Sequence, residues 1–267
     1  MSFQYFELVS LGVLVGSASA ILGVGGGVFI VPILPLIFAF NQKAVIATSL
    51  LTAFVVVVTN SIGFHRRGLV NWGVAIKLGP IAALMAFFWA RVALKMPDRT
   101  LKTILTVILF SFAVQMMIEA VFKRKKAKEW SKKALQILLV FVGLLCGTLA
   151  GLTGLGSGIL LSPIFIQFNV VSDEKVAPTS NAVVIFTSFA GVATFLYHRY
   201  LSNDLSGRVM LSQFNPMYAV ILAGVAVIVA SLVRPHQAKI PRHIRKALVG
   251  TVLLLFSLKE AYLLWLR

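Results

Sequence analysis

The 267 residues are 59% hydrophobic and only 12% charged, with a mean hydropathy of +0.94, far from the roughly 45–50% apolar and about 25% charged of soluble domains. A formal charge of +17 comes from 25 Lys and Arg against 8 acids. The basic residues sit between apolar runs, where cytoplasmic loops carry them for orientation, so the balance points to a lipid bilayer and away from nucleic acid.

The chain opens on Met1-Ser2-Phe3-Gln4-Tyr5-Phe6-Glu7, without the basic stretch of a leader peptide, and the apolar run 5–22 is expected to be a first membrane helix. A glycine cluster, Gly23-Val24-Gly25-Gly26-Gly27, leads into the run 28–40. At 1.5 Å per residue that run spans about 20 Å, less than the hydrocarbon core, and reads as a half-helix or re-entrant arm. Full-length segments follow at 44–64, 74–95 and 101–122. After the basic stretch 123–133 the pattern restarts, with segments at 134–151, 159–169, 178–198, 215–233 and 245–266. The expected fold class is an all-α integral membrane protein of two repeats of five segments: 1–122, a cytoplasmic linker 123–133, and 134–267. Eight or ten complete crossings result, according to whether the short arms cross.

Self-comparison supports this division. At one offset of 131, Gly12, Gly16, Gly23, Gly25, Gly27, Pro32, Thr48 and Ser49 align with Gly143, Gly147, Gly154, Gly156, Gly158, Pro163, Thr179 and Ser180. His65-Arg66 matches His198-Arg199 at 133, and Pro97 with Lys102 matches Pro241 with Lys246 at 144. The loop from Leu201 to Asn215 accounts for the growing offset. An odd number of segments per unit implies opposite insertion of the two copies, as in transporters with inverted repeats. Placing 123–133 in the cytoplasm puts 16 Lys and Arg on that side and leaves nine for the other, which favours this orientation.

The clusters carry the candidate chemistry. Glycine at this density lets backbone approach a ligand, and irregular backbone at membrane depth is tolerated where it is buried in protein or lines a wet cavity. A helix starting just after each cluster would aim its unpaired N–H groups and positive end at the glycine loop, a site for an anion. Two opposed copies would bring two such ends together near the midplane. The candidate substrate-binding residues are therefore Gly25, Gly26, Gly27, Thr48 and Ser49 from the first unit. Gly156, Ser157, Gly158, Thr179, Ser180 and Asn181 join them from the second. The alternative role of such glycines is close helix packing. Thr48, Thr52 and Thr59 share a helix face, as do Thr179, Thr187 and Thr194; away from the segment entrances, packing on their own backbone is the favoured role.

The acids Glu7, Asp98, Glu119, Glu129, Asp173, Glu174, Asp204 and Glu260 fall at segment ends or in loops on this division. Cation and proton pathways usually carry carboxylates at mid-membrane depth, so a site of N–H and hydroxyl groups suits an anion better. Orientation accounts for His65, Arg66, Arg67, His198 and Arg199, and snorkelling for Arg91. The four histidines have no partner at ligand spacing, so no metal or other cofactor is expected. Cys146 cannot form an intrachain disulfide, and no nucleophile-base-acid set appears, so catalysis is not expected.

Gly23-Val24-Gly25-Gly26-Gly27 with Pro32, Ala47-Thr48-Ser49-Leu50, and the second set Gly154-Leu155-Gly156-Ser157-Gly158, Pro163 and Thr179-Ser180-Asn181 resemble the sulfite exporter TauE/SafE family of membrane permeases. The resemblance covers nearly the whole chain. It implies a carrier of the bacterial inner (plasma) membrane moving sulfite, organosulfonates or related sulfur-containing anions, most often outward. Ser157 stands where the family has a middle glycine, and Asn71-Trp72 where an Asp-Trp pair is common; both bear on the choice of substrate. A passive anion channel of the same architecture, and an accessory membrane subunit of sulfur metabolism, are the competing functions. Direction, coupling ion and assembly into a homo-oligomer are left open by the sequence.

Overall fold

The structure is a computed structural model that describes residues 2–22, 26–38, 40–121, 131–201, 211–233 and 242–265. Gly25, most of the linker 123–133, the loop 202–210 and the basic stretch 234–241 lie outside the described residues.

The described residues form helices and no strand. In chain order they are α1 (Ser2–Leu22), α2 (Gly27–Ile37), α3 (Gln42–Arg66), α4 (Trp72–Lys95) and α5 (Asp98–Val121). Then come α6 (Lys132–Thr153), α7 (Gly158–Gln167), α8 (Asp173–Leu196, running on as a π-turn over Tyr197–Leu201), α9 (Pro216–Val233) and α10 (Arg242–Trp265). Each expected segment has its helix. Starts fall within five residues of those of the apolar runs; α3, α4 and α6 each begin two residues early because a polar residue just outside the run caps them: Asn41, Asn71 and Ser131 accept from the N–H of Ala44, Val74 and Ala134.

Among the described residues, seven helices, α3 to α6 and α8 to α10, are long and apolar enough to cross a membrane. Of the other three, α1 runs 21 residues, the length of a full crossing. The short helices α2 and α7 have 11 and 10 residues, about 16 Å each at most. A Schellman motif stops α7: Asn169 takes a left-handed φ of 49°, and Val170 N donates to Phe165 O at 2.9 Å and Asn169 N to Ile166 O at 3.4 Å.

The helices pair as α1 with α9, α4 with α6, α3 with α9, α4 with α8, α5 with α10 and α3 with α8, with α2 on α3 and α7 on α8. This set of pairs maps onto itself when α1–α5 are exchanged for α6–α10. Small residues make the crossings close, as lipid-embedded packing requires. A Cβ at Gly16 would sit 2.6 Å from Ala226 O, and one at the matching Gly147 would sit closer still to Ala82 O. Gly12, Gly16, Gly143 and Gly147 therefore serve helix packing. On α4 the buried stripe Ala75, Gly79, Ala82, Ala86, Ala90 and Ala93 does the same.

Candidate functional site

The two short helices bring the glycine clusters together. Gly26 is the N-cap of α2, and Ser157 the N-cap of α7; neither caps with a side chain. Gly26 has none, and the Ser157 hydroxyl instead shares a hydrogen bond of 3.2 Å with Thr187 Oγ1. Ahead of Phe29 in α2 and Leu160 in α7, whose N–H groups reach the N-cap carbonyls, the first N–H groups have no acceptor inside their own helix.

Gly27 is where the clusters meet. A Cβ there would lie 2.8 Å from Leu155 O, 2.9 Å from Gly154 O and 3.0 Å from Ser49 Oγ. Ser49 Oγ donates to Gly154 O at 2.7 Å, tying α3 of the first half to the loop that ends α6. That loop needs glycine for its own path: Gly154 and Gly156 have φ of 70° and 75°, a region costly for residues with a Cβ. Gly154 also lies against α3, where a Cβ would come within 2.9 Å of Ile46 Cα. Among the described residues, a Cβ at Gly158 would meet Val184 Cγ2, at 3.5 Å.

The hydroxyls divide in the same uneven way. Ser49 is bonded, whereas Ser180, its counterpart at offset 131, is 3% exposed and its Oγ has no hydrogen-bond partner. A buried hydroxyl left unpaired costs about 1–3 kcal/mol. Thr179 Oγ1 accepts from Asn71 N at 3.0 Å, joining α8 to the start of α4. Asn181 is half-buried beside them. Thr48 donates to Ala44 O at 2.8 Å, and Thr52 to Thr48 O and to Ala219 O on α9. Thr59 and Thr194 bond Val55 O and Ala190 O of their own helices, and Thr59 is exposed. These stripes are thus largely self-satisfied, as expected away from the entrances.

A cavity of about 10 Å³ lies against Gly26, lined also by Val15, Ile30, Thr52 and Ala226. It has room for about one water and not for an oxyanion of four heavy atoms.

Of the basic residues near the helix ends, His65 accepts at Nδ1 from Trp72 Nε1 at 3.1 Å. Arg91 lies over the Phe87 ring, 4.3 Å from its centroid, beside a cavity of about 260 Å³ that Tyr197 and His198 also line. Sequence reasoning placed all eight acids at segment ends or in loops. The structure places Glu260 near the end of α10, in keeping with that, yet 8% exposed, lining a cavity with residues of α5 and α2.

The family model described as sulfite exporter TauE/SafE matches residues 8–259. A probable membrane transporter protein of Methanocaldococcus jannaschii is 25% identical over 253 residues, covering 89% of this chain and 88% of that one. Another, of Haemophilus influenzae, is 26% identical over 220 residues, with 78% of each chain covered. The probable membrane transporter protein YunE of Bacillus subtilis is 31% identical over a shorter stretch of 121 residues, 45% of this chain and 44% of that one. No solved structure matches.

Proposed function

We propose a substrate and a mechanism for this chain, which belongs to the sulfite exporter TauE/SafE family and is a multi-pass membrane transporter. It is a secondary carrier of small sulfur-containing anions, sulfite or an organosulfonate, working outward across the inner (plasma) membrane. The substrate binds between the two glycine clusters, with Gly25, Gly26, Gly27, Thr48 and Ser49 on one side and Gly156, Ser157, Gly158, Thr179, Ser180 and Asn181 on the other.

One observation carries this reading: the N-terminus of α2 meets the second glycine loop directly, with Ser49 bridging to Gly154 O at 2.7 Å. An oxyanion entering there exchanges carbonyl contacts for the free N–H groups of two helix starts, which favour negative charge. Ser180 is the donor in waiting, buried and unpaired, and a bound oxyanion removes its desolvation cost.

The repeats supply the motion. Helix pairing that survives exchange of the halves, and identities at a constant offset, support two units of opposite insertion that rock about the fixed site. Ser49 bonded and Ser180 free is one arrangement; exchanging the roles of the halves gives the other.

Sulfite counterflow in proteoliposomes tests this, with Ser180→Ala as the variant. Because Ser180 has no partner to lose, the variant is at least as stable as the wild type, and its sulfite flux falls at least tenfold. Unchanged saturable flux, or flux with no counterflow, overturns the carrier built on these clusters.

A further inference from the structure

The helices α5 and α10 form one pair, and each end of it carries a lysine and a glutamate. At one end Lys246 Nζ bonds the Glu119 carboxylate. At the other, Lys102 and Glu260 stand on the same two helices but line a cavity of about 380 Å³ together with Asp98, Arg99, Pro35 and Leu263. Lys102 is the counterpart of Lys246 at offset 144, so closely similar parts give a closed ion pair at one end and an open cavity at the other.

Four charges line that cavity, and none of them is ion-paired. Glu260 is 8% exposed and makes no hydrogen bond among the described residues, whereas Asp98 accepts from Gln42 N at 3.2 Å. A carboxylate that deeply buried loses hydration that only an opposite charge or a donor can replace. Two cations and two carboxylates around one space also sum to no net charge. A simple anion or cation gains from one pair what it loses to the other. A ligand with both charges, separated, gains from both. The volume is that of a small-molecule site.

We propose that this cavity binds a small zwitterion, its ammonium on Glu260 and Asp98 and its oxyanion on Lys102 and Arg99. The ligand is either free in solution or the headgroup of an ethanolamine phospholipid whose chains leave past Leu263; the chemistry is the same. The lining shares no residue with the glycine clusters, so the site stands or falls separately from the transport reading.

Binding to the purified full-length protein is measured by calorimetry with O-phosphoethanolamine and with a short-chain phosphatidylethanolamine. Ethyl phosphate and ethylamine serve as the two half-ligands. At least one zwitterion binds tenfold or more tightly than either half-ligand. Glu260→Gln weakens it at least tenfold while leaving ethyl phosphate unchanged. Exposed Arg99→Gln, which threatens folding least, weakens the zwitterion at least threefold and ethyl phosphate with it. Binding of the soluble probe alone, or of the lipid alone, supports the site and identifies the source. Equal binding of zwitterion and half-ligands, or zwitterion binding indifferent to both substitutions, overturns it.

Discussion

Gly27 and Gly158 occupy matching places at offset 131 and start matching short helices, yet alanine should do opposite things at the two. At Gly27 the new Cβ meets two carbonyl oxygens, at 2.8 Å and 2.9 Å, and Ser49 Oγ at 3.0 Å. Backbone cannot step aside as a side-chain tip can, so α2 must retreat from the second glycine loop by some tenths of an ångström. Overpacking of this kind costs about 1–3 kcal/mol. At Gly158 the nearest atom among the described residues is Val184 Cγ2 at 3.5 Å, ordinary contact. Its φ is not left-handed, so alanine there reduces only the freedom of the unfolded chain and stabilises by about 0.4–1 kcal/mol. Reversible unfolding of both variants in mixed micelles reads the difference, about 1.5–4 kcal/mol between them by those two ranges. Equal stabilities, or Gly158→Ala the weaker of the two, would mean that the clusters do not touch through Gly27.

Ser49→Ala leaves the Gly154 carbonyl without its 2.7 Å donor and should cost about 1–3 kcal/mol in the same assay, while Ser180→Ala, with no partner to lose, costs nothing. Thr52→Val removes a bridge to Ala219 O on α9 and should lower the melting temperature; Thr59→Val, exposed and bonded only within its own helix, should leave it unchanged. Asn169→Val places a β-branched residue at a φ of 49° and should destabilise by about 1–2 kcal/mol, whereas Asn169→Gly should not. Equal effects of the two Asn169 variants on unfolding would remove the Schellman motif as the stop of α7.

Much of the fold is legible because lipid imposes a simple rule: apolar length must match membrane depth, and polar punctuation must fall between the runs. The ten segments follow from that rule, and the short runs after the glycine clusters emerge as the short helices α2 and α7. Boundaries are less legible, since Asn41, Asn71 and Ser131 belong to their helices as caps while being invisible to hydropathy. Gly12, Gly16, Gly143 and Gly147 match at one offset as strongly as the cluster residues do, yet they are crossing points of helices rather than parts of a site. Sequence spacing reports that a glycine is needed without saying whether a helix, a loop or a ligand needs the space. The burial of Glu260 was not legible for a related reason. Near the end of an apolar run a carboxylate looks like a boundary, and only the neighbouring helices decide whether it faces water or a cavity.

What identity at a fixed offset hides most completely is a difference in state. Ser49 and Ser180 are indistinguishable as letters, but one is engaged and the other is not. A hydrogen bond of 2.7 Å and an unpaired buried hydroxyl differ by about 1–3 kcal/mol at matching positions, so the two halves settle into unequal conformations. On the alternating mechanism proposed above, a second arrangement has these roles reversed. A bistable pair of this kind is what a ligand can bias, by making one arrangement lose less hydration than the other. Ser157, which breaks the match between the clusters and bonds Thr187, sits only in the second half and therefore tilts that balance before any ligand arrives.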